Sequence, residues 1–165
     1  MIGGGDFAKD RLIPDCIKAL KEKKPIIIRN PDHTRPWQHV LEPLNGYLML
    51  GQKLLEGKKE FAGPWNFGPD RESMVNVSRV ADIIVKHWGE GRWIDSSSKD
   101  EKIKMHETTL LCLDNSKAKK LLKWSPKLSI NDALKETVDW YRKSSKENAD
   151  VDDLCIEQIK EYSAA

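Results

Sequence analysis

Three cysteines in 165 residues, Cys16, Cys112 and Cys155, are too few and too widely spaced for a disulfide framework or a thiolate metal site. A reducing, cytoplasmic setting is the expectation that follows. Long apolar runs are missing as well. None approaches the roughly 20 residues needed to cross a bilayer, and the first residues lack the charged, apolar, small-residue succession of an export signal. Neither membrane insertion nor secretion is expected. An excess of one charge sign is also absent: 28 Lys and Arg stand against 26 Asp and Glu, a net charge of +2. No global field exists to hold nucleic acid, and the basic residues are interspersed with acidic ones instead of alternating with aromatics. Any anion the chain binds must be met locally.

Several chemical signatures are lacking too. There is no P-loop, no H-E-x-x-H and no G-x-S-x-G elbow. Gly3-Gly4-Gly5 is not a dinucleotide fingerprint, because no strand precedes it and Ala8 stands where its last glycine belongs. His33, His39, His87 and His106 have no metal-ligand spacing.

What is present is an ordinary apolar fraction of 39%, enough for one domain with a core. Helical spacing of Leu12, Ile13, Cys16, Ile17 and Leu20 predicts a first helix over 12–21, with Asp10 as its cap and Pro14 tolerated in the first turn. Ile26-Ile27-Ile28 predicts a strand, and 37–40 a second extended piece. Leu44, Tyr47, Leu48, Leu50, Leu54 and Leu55 predict a buried or half-buried helix from Glu42 to Gly57. Residues 64–67 read as a strand entering the turn Gly68-Pro69-Asp70. A helix over 77–88 ends at Gly89, followed by an extended piece at Trp93-Ile94. Residues 109–113 are strand-like, and Asn115-Ser116 caps a helix over 117–123. Ser129 caps a last strong helix carrying Ile130, Ala133, Leu134, Thr137, Val138 and Tyr141 on its inner side. Residues 143–150 read as a charged linker and 151–162 as a short amphipathic helix. Helices alternating with short strands make the class α/β, or α+β if the strands segregate.

Two polar clusters can carry chemistry. In "RNPDHTRPWQH" (29–39), Arg35 can offer its planar guanidinium to a phosphate in two parallel hydrogen bonds, or it is a surface arginine stacked on Trp37. In the second, His106-Glu107 precedes the predicted strand. There the Glu107 carboxylate can accept from a ribose diol, or it is a solvated loop acid. Residue types alone leave both pairs of alternatives open.

In order, Gly3-Gly4-Gly5-Asp6, "DRLIPDCIKAL", "IRNPDHTRPWQHVLEPLNGYL", "WNFGPD", "HE" and "LDNSKAKKLLKWSPKLSINDALKETVDWY" resemble the C-terminal, substrate-binding portion of the CDP-glucose 4,6-dehydratase family of extended short-chain dehydrogenase/reductases. The resemblance covers residues 2 to about 142 and leaves 143–165 without a counterpart. The S-K-A-x-x-L-x-W-x-P element is shared among nucleotide-sugar dehydratases and epimerases, whereas R-P-W-Q-H-V-L-E-P favours the CDP-glucose members. Such enzymes oxidise the sugar at C4 with bound NAD, eliminate water across C5 and C6, and return the hydride to C6; the C4 ketone acidifies the C5 proton. The resemblance implies that Arg35 grips the diphosphate of CDP-glucose, that Arg11, Leu12 and Pro14 lie along the nucleotide, that Glu107 with His106 faces the ribose or base, and that Asp6 stands at the cleft mouth.

Because the family's glycine fingerprint and Tyr-x-x-x-Lys pair lie upstream of the matched region, the resemblance further implies a truncated product or an excised portion. Its partner would be the N-terminal cofactor-binding half. No NAD is expected on this chain alone, and self-association or marginal stability is expected from the apolar surface left uncovered. Leu110 and Cys112 depart from the family pattern, where an aromatic and a basic residue are expected. Trp37, Trp65, Trp124 and Trp140 are expected to be packing residues.

Overall fold

A computed structural model of the chain describes residues 1–97 and 112–164. Its elements run α1 (Leu12–Lys21), β1 (Ile26–Ile28), β2 (Thr34–Pro36), α2 (Leu41–Leu55), β3 (Met74–Asn76), α3 (Val77–Trp88), β4 (Trp93–Asp95), α4 (Ile130–Ser144) and α5 (Val151–Ala164). Among the described residues the strands form two small sheets. In one, β1 lies parallel to β4 with Ile26 opposite Trp93. In the other, β2 runs antiparallel to β3 with Arg35 opposite Val75. The class is mixed α/β, as the alternating pattern implied.

The helices follow their apolar spacing. α1 buries Ile13, Cys16, Ile17 and Leu20; α3 buries Val80, Ala81, Ile83 and Ile84; α4 buries Ala133, Leu134, Thr137, Val138, Trp140 and Tyr141. With Ile2, Ile26 and Ile28 these make one core, in which each fully buried Ile or Leu contributes about 1.5–3 kcal/mol. Asn76 caps α3 by accepting from the Arg79 N–H at 3.0 Å, and Ser129 caps α4 by accepting from the Asp132 N–H at 3.2 Å. Gly89 ends α3 at φ +99°, a left-handed conformation that glycine adopts without Cβ strain. A second, smaller core gathers Phe67, Ala118, Leu122 and Trp124.

Five expectations change. Asp10 does not cap α1: the residue at that position is Arg11, and no side chain bonds the helix's first amides. The second extended piece lies at Thr34–Pro36 and not at 37–40, because Trp37 and Gln38 turn away to donate to the Val75 and Phe67 carbonyls at 3.0 and 2.7 Å. Residues 64–67 form no strand; Trp65 instead stacks between Phe61 and Phe67. The helix at 117–123 is a π-helical turn, Ala118–Leu122, and its entry is held by Asp114 accepting from the Ser116 N–H at 2.8 Å. The apolar face of α2 is not buried: Tyr47, Leu48 and Leu55 are 55%, 75% and 92% exposed. The strand expected at 109–113 falls mostly outside the described residues. None of the helices among the described residues is long and apolar enough to cross a membrane, and no cluster of three or more His, Cys, Asp or Glu among them can hold a metal ion.

Candidate functional site

One short bridge fixes the start of the chain. Ile2 donates its N–H to the Gln38 carbonyl at 2.9 Å and accepts from the Val40 N–H at 2.8 Å, which lays the chain's first residues beside the segment that follows β2. Arg35 lies on β2, three residues before Gln38 in the chain. It is half-buried, and its Nη1 donates to the Thr34 carbonyl at 3.0 Å. The exposed Arg29 follows β1 directly.

On the far side of the loop, Asp6 and Arg11 meet: Asp6 Oδ2 accepts from Arg11 Nη1 at 3.0 Å, and Asp6 Oδ1 accepts from the Ala8 N–H at 3.0 Å. The Ala8 N–H holds the Asp6 carboxyl below the usual carboxylate range; burial opposes this, and the Arg11 guanidinium reinforces it. Leu12 and Pro14 occupy the first turn of α1, both half-buried. The structure thus joins Asp6 to Arg11, with Leu12 and Pro14 following in the first turn of α1, while Arg35 stands separately on β2, paired with β3. His106, Glu107 and Leu110 lie outside the described residues. Cys112 is exposed.

Two features had little sequence signal. The Tyr141 hydroxyl donates to the Asp6 carbonyl, 135 positions away in the chain, and the only sequence hint was an aromatic on the inner face of α4. His39 is 2% exposed; its Nδ1 accepts from the Leu41 N–H at 3.4 Å, while Nε2 has no hydrogen-bond partner among the described residues. Burial pushes its imidazole down to about 4, so it is neutral at pH 7.

A dinucleotide cradle needs glycines whose open α-carbons admit a pyrophosphate at a helix N-terminus. The triplet 3–5 does not fit that demand. A Cβ on Gly4 would lie 2.1 Å from the Trp140 indole, so the space beside this α-carbon is filled by protein, and α1 begins only at Leu12. The loop also borders a cleft of about 580 Å³ with Phe7, Trp140 and Cys155 among its walls, but neither Arg35 nor Arg11 lines it.

No protein-family model matches the chain. It is 42% identical over 143 residues to a CDP-glucose 4,6-dehydratase of Salmonella typhimurium, covering 86% of this chain and 39% of that protein. It is also 42% identical over 142 residues to a UDP-glucuronate 4-epimerase of Thermodesulfobacterium geofontis, covering 82% and 38%. Among solved structures, a Bacillus cereus UDP-glucuronic acid 4-epimerase in complex with UDP-4-deoxy-4-fluoro-glucuronic acid and NAD superposes with a TM-score of 0.67 at 23% identity, over 87% of this chain and 43% of that one. The chain thus spans about two fifths of the length of the curated relatives it matches. Its fold is that of the C-terminal portion of extended short-chain dehydrogenase/reductase epimerases and dehydratases.

Proposed function

We propose that a chain with this fold serves as the nucleotide-sugar-binding portion of a CDP-glucose 4,6-dehydratase, in which NAD and the dehydration chemistry belong to a cofactor-binding portion. The observation that carries this reading is the 42% identity to such an enzyme over 143 residues, a stretch long enough to take in α1, β2, α2 and α4 together. The residues fit the task. Arg35 supplies a bidentate donor for a diphosphate. Arg11 adds a second cation, oriented by Asp6, while Leu12 and Pro14 offer an apolar edge along the nucleotide. Glu107 and His106 complete the set at the ribose or base. Residues 1–142 form this binding portion, and 143–165 are an appendage to it.

The chain's own residues bind and orient in this scheme. NAD, when bound to the complementary portion, supplies hydride chemistry at the sugar C4. A second reading, a nucleotide-sugar 4-epimerase portion acting on a UDP-sugar, is supported by the equal identity to the UDP-glucuronate epimerase. Calorimetric titration with CDP and with UDP separates the two. Tighter binding of CDP supports the dehydratase, tighter binding of UDP the epimerase, and no binding of either nucleotide overturns both.

A further inference from the structure

Three consecutive glycines leave residues 3–5 with no side chain to hold them, and Gly5 takes a left-handed φ of +79°. A loop of this composition has a large conformational entropy to lose, yet Asp6 just beyond it must meet Arg11. Their ion pair cannot supply the order by itself. The Arg11 and Asp6 side chains are 66% and 34% exposed, and solvent screening leaves such pairs little ordering power.

The order comes from two neighbouring residues of α4. The Trp140 indole fills the space beside Gly4 and reaches Gly5. The Tyr141 hydroxyl donates to the Asp6 backbone carbonyl. Both side chains are themselves fixed: Tyr141 is 1% exposed and Trp140 5%, and their rings meet edge to face at 5.3 Å. At its other end the loop is pinned by the Ile2 bridge to Gln38 and Val40. The loop is therefore stretched between two anchors, and only the Tyr141 anchor acts on the residue whose side chain holds Arg11.

We infer that Tyr141 is a positioning residue for the Asp6–Arg11 pair, setting through the Asp6 carbonyl where the pair stands for a nucleotide. The ligand half of this statement rests on the binding role proposed for Asp6 and Arg11; the half about the loop does not. An aromatic serving the core alone would need its ring and not its hydroxyl.

Tyr141→Phe in the 165-residue chain keeps the ring and removes the hydroxyl. By NMR, amide exchange at Ala8, whose N–H is held by the Asp6 carboxylate, should accelerate roughly fivefold or more, the scale of one lost hydrogen bond. The α3 amides of Ile83 and Ile84 should stay as in wild type. In CDP titrations of the same samples, Tyr141→Phe should weaken binding roughly fivefold, and adding Asp6→Asn should weaken it little further, because both changes act on one pair. Unchanged exchange at Ala8, or losses from the two substitutions that simply multiply, would overturn the inference. A wild-type chain that binds neither CDP nor UDP overturns the nucleotide-binding reading instead, and the exchange measurement then decides the role of Tyr141 in the loop.

Discussion

Tyr162 of α5 donates its hydroxyl to Glu42 Oε2 at 2.7 Å, joining residues 120 positions apart. Glu42 is 1% exposed, and its Oε1 accepts from the Lys127 and Leu128 N–H groups at 2.9 and 2.7 Å. A carboxylate this deep is tolerated because its oxygens meet donors. Burial, reinforced by the Glu42 carboxylate, pushes the Tyr162 phenol well above its ordinary range. The C-terminal helix thus closes a polar network in the body of the fold.

Tyr162→Phe keeps the ring and deprives Glu42 of one donor. It should cost about 1–3 kcal/mol, the penalty for a buried charged acceptor left short of a partner. Glu42→Ala should cost more, since it strands three donors at once. Urea denaturation of the variants checks both, and a Tyr162→Phe midpoint equal to wild type would show that α5 is not anchored here.

His39 sets an acid limit on stability. Its folded value near 4 lies below the ordinary 6.5, so between these values the unfolded chain binds the extra proton. Its contribution is complete above about pH 6.5 and is lost as pH falls toward 4, with a slope of at most about 1.4 kcal/mol per pH unit. Denaturant melts at pH 7, 6 and 5 measure the slope. His39→Asn, which keeps an acceptor near the Leu41 N–H, should flatten it relative to wild type.

Arg35→Ala should weaken CDP binding by about 1.5–3 kcal/mol if the guanidinium holds the diphosphate. Arg35→Lys should recover part of that, because a point charge lacks the two-pronged geometry. Arg29→Ala, at an exposed position after β1, should change little. Calorimetry on folded variants compares them, and equal affinities for wild type and Arg35→Ala would return Arg35 to a surface role.

The exposed stripe on α2, with Leu48 at 75% and Leu55 at 92% exposure, should drive self-association of the isolated chain. The reading proposed above expects the cofactor-binding portion to cover it. Leu48→Lys together with Leu55→Lys should shift the chain toward monomer in sedimentation without lowering its melting temperature. A monodisperse wild-type monomer would count against this assignment of the face.

The periodic elements were legible in the chain itself. α1, α3 and α4 follow from apolar spacing, and the cap Ser129 from local hydrogen bonding, because such terms involve residues within a few positions of one another. The R-P-W-Q-H-V and S-K-A-x-x-L-x-W-x-P runs pointed to nucleotide-sugar enzymes for the same reason: they are local strings. Decisions that needed distant partners were out of reach. The period of α2 showed a wide apolar face, but whether that face is covered depends on what packs against it. Residues 64–67 have strand composition, yet among the described residues no neighbouring strand takes their hydrogen bonds, and Trp65 stacks between Phe61 and Phe67 instead. Nothing local to Gly4 showed that Trp140 fills the space beside its α-carbon. Tyr141 on Asp6 and Tyr162 on Glu42 are pairings between distant parts of the chain, created only when α4 and α5 dock, since a hydrogen bond has no sequence signature when its partners are more than 100 residues apart.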